Sequence, residues 1–526
     1  MIASLVVKVI GAFFQIPLQN LIGGESSPAF GLFSAAYRIY TAMLVISTVG
    51  LPAALSKMVA EATACGRERE VRRIVRVAAG IFVPVGALAT VILLCGADTF
   101  AGWIKNPDAE LAVMAIAPSV LMVSILSVFR GYYQGRSNMV PTAVSQVIEA
   151  MGKLFVGLGL AWYAVQQGMN EPQTAAMAVL GVTLGEVVAA AYMLVQAAAI
   201  RRRAERVRVL NDAVRPTGQL AKTLLSLSIP ITISSAVMSL TDLIDVALIS
   251  ARLQSPAVGM TAEQATTAYG IYTGNAVNFF NLPQTLITAL AVSVLPTIAS
   301  ARAAQNFTKV SRTLATTLRL TMIITLPAGA GFLLLSGPIL RLFYSEGTEL
   351  GGQLMALLGF AVPAVALVAI TNAVLQAFGR IDLPLISMFL GALVKIFGDY
   401  YLIGIPELNI AGAPISTAVC YWLIALINLF HISRLSHSLP PIGKTVGRPL
   451  AATVGMGAAT YICHTVLLRV TDAAPGAAAD KLVTLIVIAV AVAVYGVLLL
   501  MLHAVDREDM LLLPKGEKIA DILHLK

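Results

Sequence analysis

The chain has 526 residues, of which 58% are hydrophobic and only 12% are charged. The mean hydropathy of the chain is +0.84, which exceeds the value expected of a soluble protein with an apolar core. This excess predicts an integral membrane protein. The formal net charge of +9 would suggest nucleic acid in a soluble protein, but in a membrane protein such an excess belongs to cytoplasmic loops. The four cysteines lack CxxC spacing, which indicates neither a disulfide framework nor a zinc site.

Apolar stretches long enough to cross a bilayer follow one another along the chain. A helix needs about 20 residues to cross a hydrocarbon layer of about 30 Å. The stretches of this length lie at approximate positions 2–22, 30–59, 74–97, 110–131, 142–166, 173–200, 223–251, 267–300, 313–337, 352–377, 384–404, 411–433, 448–470 and 480–503. The sequence therefore predicts an all-α integral membrane protein with about 14 transmembrane helices.

Basic residues are concentrated in alternate loops between these spans. Cytoplasmic loops carry the Lys and Arg excess of a membrane protein. Most of the excess here lies in the loops 60–76, 201–222, 301–312 and 434–448. The opposite loops hold little beyond Lys105, Arg252 and Arg341. This alternation predicts an even number of helices with both termini in the cytoplasm.

An internal repeat divides the chain into two halves. A Gly-Arg pair followed by a proline occurs at 135–141 and again at 379–384. Duplicated membrane units of this kind are typical of transporters. We expect two pseudo-symmetric six-helix lobes and a C-terminal part, at 1–205 (helices 1–6), 206–435 (helices 7–12) and 436–526 (helices 13 and 14 and a cytoplasmic tail).

Ionisable side chains at membrane depth mark functional sites, because each costs at least about 2.5 kcal/mol at a helix centre. In the first lobe, Lys8 and Arg38 have no acidic partner within their own helices, which favours an anionic ligand in a water-filled cavity. Glu149 and Lys153 are four residues apart on one face of the fifth span, and Glu186 lies in the sixth. The Glu149 pair is either an internal ion pair that fixes packing or a functional pair.

In the second lobe, two pairs of ionisable residues share helix faces. Asp242 and Asp245 are three residues apart in the seventh span, and two such carboxylates seldom both stay charged without a cation. This spacing predicts a site for coupling to a proton or a metal ion. Lys395 and Asp399 repeat the four-residue spacing in the eleventh span, with the same two alternatives as the Glu149 pair.

A polar stripe runs through the otherwise apolar eighth span. It recurs at every third position, at Tyr269, Tyr272, Asn275, Asn278, Asn281 and Gln284. We interpret it as the wall of a water-filled cavity, the alternative being interhelical hydrogen bonding by the asparagines. No HExxH, GxSxG or GxxxxGK[ST] motif occurs, so the sequence favours a transporter without its own ATPase and not an enzyme.

Three stretches of the first 150 residues are similar to one known family. They read SLVVKVIGAFFQIPLQNLIG at 4–23, ISTVGLPAALSKMVAE at 46–61 and FRGYYQGRSNMVPTAVSQVIE at 129–149. They resemble the stage V sporulation protein B and Gram-positive lipid II flippase branch of the MOP exporter superfamily. Compatible segments of the second lobe lie at 243–245, 379–380 and 410–417.

The resemblance implies two six-helix bundles around a central cationic cavity that opens alternately to either side of the membrane. The implied substrate is an undecaprenyl-pyrophosphate-linked saccharide, with lipid II of peptidoglycan synthesis as the best candidate. By position, Arg38 would bind the pyrophosphate. The further residues expected at the substrate site are Lys8, Lys57, Arg130, Lys153, Glu149, Tyr272, Asn275 and Asn278.

Two departures from the family pattern change these expectations. The eighth span has asparagines and tyrosines where relatives carry cations, so the cavity is less positive than in those relatives. Some relatives bind sodium with an aspartate of the seventh span and a polar pair of the eleventh. Asp245 and Asp399 remain here, but Lys395 occupies the other position. Our hypothesis is that the Lys395 ammonium takes the place of the ion.

The expected setting is the plasma membrane of a bacterium. We expect a monomer that contacts membrane lipids, carries a lipid-linked oligosaccharide, binds no nucleic acid and associates with the cell-wall synthesis machinery. No cofactor is expected apart from coupling to Na⁺ or H⁺. Two alternatives stay open, a flippase for another polysaccharide or teichoic-acid precursor and a MATE-type small-molecule exporter. The exporter predicts an acidic first-lobe cavity, whereas Lys8 and Arg38 of this lobe are basic.

Overall fold

The computed structural model of the protein describes residues 2–23, 27–48, 50–136, 138–204, 215–303, 305–380, 382–436, 443–471 and 477–505. These residues form α-helices joined by short 3₁₀ and π-helical segments, and no β-strand occurs among them. The predicted all-α membrane fold class is therefore confirmed.

Packing divides the chain into two compact units, Met1–Gly274 and Asn275–Lys526. The first unit contains α1 (Ile2–Ile22), α2 (Ala29–Thr48), α3 (Gly50–Ala64), α4 (Glu68–Cys95), α5 (Ala97–Trp103), α6 (Glu110–Gly135), α7 (Val140–Met151), α8 (Leu158–Gln166), α9 (Glu171–Ala204), α10 (Thr217–Leu253) and α11 (Ala262–Ile271). The second contains α12 (Asn278–Ala303), α13 (Phe307–Phe343), α14 (Thr348–Gly359), α15 (Ala361–Ala377), α16 (Asp382–Leu402), α17 (Gly412–Ser436), α18 (Arg448–Thr471) and α19 (Ala477–Met501). The lobe boundaries at 205 and 435 stay a prediction.

Every predicted span coincides with one helix or with two consecutive helices. In the described part of the chain, nine helices are long and apolar enough to cross a membrane. The number is ten if α14 and α15, which meet at a bend of 47°, count as one span. The chain is thus a multi-pass membrane protein, and the number of 14 helices stays a prediction.

The fifth predicted span is not one regular helix. A π-helical turn at Gly152–Gly157 joins α7 to α8, and such turns are frequent at functional sites. The turn lies in backbone contact with α9, because a Cβ on Gly152 would overlap the Cα of Gly185 and a Cβ on Gly181 would overlap the Cα of Gly157. Small residues let membrane helices approach this closely. The contact fixes the turn, and with it Lys153, against α9.

The eighth predicted span changes units partway along its length. Its first part, α11, packs against α2, where a Cβ on Gly31 would overlap the carbonyl oxygen of Thr266. A π-helical turn at Tyr272–Val277 follows. Its last part, α12, packs against α13 and α15 around an apolar core that includes Ile287, Val294, Ile298, Leu314, Leu318, Ile370 and Val374. This arrangement decides where the polar side chains of the eighth span lie.

Candidate functional site

A cluster of charged and tyrosine side chains lies within the first unit, where four segments meet. We call it the Glu149 cluster; it consists of Tyr40 of α2, Arg130 of α6, Glu149 of α7, Lys153 of the π-helical turn and Glu186 of α9. The span that carries Lys153 begins at Val140, 13 residues earlier. At a helical rise of about 1.5 Å per residue, Lys153 lies about 20 Å from the start of that span. The cluster therefore lies at membrane depth.

Glu149 connects the two cations of the cluster. Its Oε1 is 2.8 Å from Nζ of Lys153, and its Oε2 is 3.1 Å from Nη2 of Arg130. The guanidinium of Arg130 also donates from Nε to Oγ of Ser145 at 3.1 Å. Between 11% and 14% of each of the three charged side chains is exposed. Glu149 alone does not balance the charges of the two cations, and Glu186 is the second acidic group of the cluster.

Glu186 forms the buried side of the cluster. The hydroxyl of Tyr40 donates to its Oε1 at 2.6 Å, and Glu186 and Tyr40 are both fully buried. Its Oε2 is buried without a hydrogen-bond partner. The carboxyl group is within electrostatic reach of Lys153 and Glu149. Nζ of Lys153 lies 5.7 Å from the ring centroids of both Tyr37 and Tyr40, within the range of cation–π attraction.

The structure brings together two of the five predicted substrate cations. Arg130 and Lys153 share Glu149, so neither is an isolated cation in this structure. Arg38 is half-buried and interacts with other groups, and Lys57 is exposed on α3. The Lys8 side chain lies outside the described residues. The assignment of all five to the substrate site stays a prediction.

Sequence spacing found only part of the cluster. The predicted pair of Glu149 and Lys153 forms, but Arg130 as its third member was missed because it comes from another helix. The partner of Glu186, Tyr40, was missed for the same reason. One signal was available, since Gly181 and Gly185 form a small-xxx-small motif that predicts a close helix contact beside Glu186.

Three side chains of the polar stripe in the eighth span do not line a water-filled cavity, contrary to the prediction. Tyr272, Asn275 and Asn278 are buried. Nδ2 of Asn275 donates to the carbonyl oxygen of Gly347 at 3.1 Å, and Nδ2 of Asn278 to the hydroxyl of Tyr344 at 3.4 Å. The prediction of a cavity wall is therefore wrong for these side chains in this structure, and the alternative of interhelical hydrogen bonding describes them.

The error has a geometric cause. Three residues turn a regular helix by about 300°, so a stripe at threefold spacing moves about 60° around the helix at each step. The polar side chains consequently do not share one face, and the π-helical turn at Tyr272–Val277 displaces them further. Asn281, at the far end of the stripe, is exposed. A substrate role for Tyr272, Asn275 and Asn278 stays a prediction.

The second unit contains the other predicted pair, which is buried. Nζ of Lys395 lies 3.0 Å from Oδ2 of Asp399, and Oδ1 of Asp399 contacts the hydroxyl of Ser416 on α17. A Cβ on Gly398 would lie 2.8 Å from Cβ of Ser416, so α16 and α17 are in close contact here. Only 7% of the Lys395 side chain and 0% of the Asp399 side chain are exposed.

The remaining ion-coupling residues are not placed in a site. Asp245 is half-buried in α10, which belongs to the first unit, whereas the side chain of Asp242 lies outside the described residues. Within the described residues, no group of three or more His, Cys, Asp and Glu side chains is arranged to hold a metal ion. An ion-coupling role for Asp242, Asp245, Lys395 and Asp399 stays a prediction.

Sequence comparison identifies relatives along nearly the whole chain. The profile of the family described as lipid II flippase MurJ matches residues 33–472. Lipid II flippase MurJ of Bacillus subtilis (strain 168) is 25% identical over 93% of this chain and 91% of its own length. Stage V sporulation protein B of that strain is 26% identical over 97% of this chain and 96% of its own length. The uncharacterized membrane protein YabM of the same strain is 24% identical over 99% of this chain and 95% of its own length.

Solved structures show the same fold. A lipid II flippase MurJ in an inward closed conformation has a TM-score of 0.71 at 15% identity, over 94% of this chain and 97% of that chain. An inward-facing MATE multidrug transporter of the MOP superfamily has a TM-score of 0.65 at 17% identity, over 82% and 95%. The resemblance found in the sequence is confirmed, and the chain belongs to the lipid II flippase MurJ family, a family of bacterial membrane transporters.

Proposed function

We propose that the chain is a flippase for undecaprenyl-pyrophosphate-linked saccharides, with lipid II as the best candidate, and that it works by alternating access across the cytoplasmic membrane. The single observation that carries this proposal is the pair of cations at membrane depth in the Glu149 cluster. The family profile and a relative from Bacillus subtilis are both described as lipid II flippase MurJ, and these descriptions support the same substrate class.

The chemistry of the substrate suits such a site. A pyrophosphate group needs Arg or Lys donors in a polar environment, because it carries charge that hydrocarbon does not stabilise. A prenyl chain needs only lipid or apolar helix surface. We propose Arg38 as the principal pyrophosphate ligand, supported by Arg130 and Lys153, with Lys8 and Lys57 contributing along the route. Both termini are proposed to be cytoplasmic, as the basic loops predict.

Complementation tests the proposal. The chain is expressed in bacteria depleted of their lipid II flippase, together with Arg38→Ala and the matched control Lys222→Ala, which removes an exposed cation at the start of α10. We expect growth with the unchanged chain and with Lys222→Ala, and no growth with Arg38→Ala present at equal amounts in the membrane. Rescue by Arg38→Ala would remove Arg38 from the site.

A second substrate of the same chemistry gives a different outcome. Teichoic-acid and capsule precursors carry the same prenyl pyrophosphate, so the cation pair fits them equally well. Failure of the correctly inserted chain to support growth, with rescue of a strain that lacks such a precursor flippase, would assign it to that substrate. A MATE-type exporter of organic cations is disfavoured, because Lys8 and Arg38 place basic side chains in the spans of the first lobe.

For coupling, we propose that the Lys395 ammonium replaces a bound sodium ion. Its contact with the buried carboxylate of Asp399 supports this proposal, because a fixed ammonium supplies the charge that a cation would otherwise supply. Transport in proteoliposomes should then be the same in sodium and potassium buffers. A clear sodium dependence that persists in Lys395→Gln would contradict this proposal.

A further inference from the structure

The carboxylate of Glu149 occupies the position that a phosphate group would take between two cations. Each of its oxygens contacts one cation, Lys153 at 2.8 Å and Arg130 at 3.1 Å. Phosphate oxygens bind Arg and Lys through the same charge-assisted hydrogen bonds. A phosphate group that binds both cations would therefore compete with Glu149 for their donors.

The cluster is open enough for its partners to exchange. The side chains of Arg130, Lys153 and Glu149 are 11%, 13% and 14% exposed. An ion pair with exposed surface can accept a new partner by side-chain rotation alone, a motion far faster than the rearrangement of helices. Rotation of the Glu149 side chain would therefore be enough to release the two cations.

Contacts that do not involve Glu149 hold both cations in place. Nε of Arg130 donates to Ser145, which is on the same helix as Glu149 but one turn earlier. The Lys153 ammonium lies against the rings of Tyr37 and Tyr40. Glu186 gives Lys153 a second acidic neighbour within electrostatic reach. The cations would thus stay in position after Glu149 moved away.

We propose that Glu149 is an internal competitor of the substrate, which holds Arg130 and Lys153 in the empty transporter and is displaced by a phosphate of the bound lipid. This inference rests on the proposed function and adds a residue that sets affinity and release. Competition weakens binding and speeds dissociation, because the carboxylate takes the cations back as the phosphate leaves. Such an effect changes mainly the dissociation rate.

Binding of undecaprenyl pyrophosphate to the purified full-length chain in detergent micelles tests this inference, measured by microscale thermophoresis. Glu149→Gln keeps the shape of the side chain and removes its charge. We expect its Kd to be about tenfold lower, equivalent to about 1.4 kcal/mol, with slower dissociation. The matched control Glu110→Gln removes the same charge from an exposed position of α6 and should leave the Kd unchanged.

Each other outcome has a definite meaning. If the unchanged chain binds and Glu149→Gln has an equal or higher Kd, Glu149 orients the cations and the inference is wrong, while the proposed function stands. If the unchanged chain does not bind undecaprenyl pyrophosphate, both are wrong. Should Glu149→Gln fail to fold, Glu149→Asp replaces it, since the shorter side chain cannot reach both cations. Its Kd should also fall, and a rise would overturn the inference.

Discussion

The Glu149 cluster and the Lys395–Asp399 pair arise from the same four-residue spacing but have opposite surroundings. In the first unit, one carboxylate serves two cations, and all three side chains keep 11–14% of their surface exposed. In the second unit, Asp399 contacts Lys395 and the hydroxyl of Ser416, and 0–7% of the two charged side chains is exposed. Identical spacing in sequence therefore does not imply an identical role. A partly exposed cluster with two cations suits ligand exchange, whereas a buried pair suits a fixed structural charge.

The largest expected effect tests the enclosed pair. Lys395→Met leaves the Asp399 carboxylate buried without its cation, and breaking a buried ion pair costs about 3–5 kcal/mol. We expect a loss of this size in the free energy of unfolding, measured by chemical denaturation in detergent micelles. The double variant Lys395→Met/Asp399→Asn should recover much of it. A loss below about 1 kcal/mol, as for an exposed ion pair, would show that the pair is not enclosed and would remove the contrast.

A smaller effect is expected where α9 touches the π-helical turn that carries Lys153. Gly181→Ala places a methyl group onto the backbone of Gly157, and overpacking of this kind costs about 1–3 kcal/mol. Gly159→Ala is the matched control, because nothing lies within 4 Å of a Cβ at that position. The free energy of unfolding of both variants checks the prediction. Equal values would mean that the helices are not in backbone contact.

The smallest effect concerns the buried side of the Glu149 cluster. Tyr40→Phe removes the hydroxyl that donates to Glu186, and the loss of one hydrogen bond lowers the free energy of unfolding by about 1 kcal/mol. Tyr163→Phe, at a tyrosine 47% exposed on α8, serves as the control. If both variants unfold at the same denaturant concentration, the hydrogen bond from Tyr40 does not stabilise Glu186.

Local spacing predicted what depends on one helix. The helical spans follow from apolar length, and the contacts within the Glu149–Lys153 and Lys395–Asp399 pairs follow from the rise and turn of a regular helix. Both are properties of neighbours in sequence. They could be predicted because no other part of the chain is needed to form them.

Features that depend on helix packing could not be predicted. Arg130 meets Glu149 only because α6 and α7 converge, and Tyr40 meets Glu186 across 146 positions of sequence. The burial of Asn275 depends on the turn at Gly347, whose backbone has the left-handed φ of 66° that favours glycine. A polar pattern alone does not distinguish a side chain that faces water from one that caps a neighbouring turn.

Backbone contact between α9 and the π-helical turn has a consequence for any transport cycle. No Cβ separates Gly152 and Gly157 from Gly185 and Gly181, and this close packing favours joint movement of the two segments. The distance between Lys153 and the α9 backbone would then change little while other helices rearrange. Substrate passage would then depend on movement of other helices relative to these two segments.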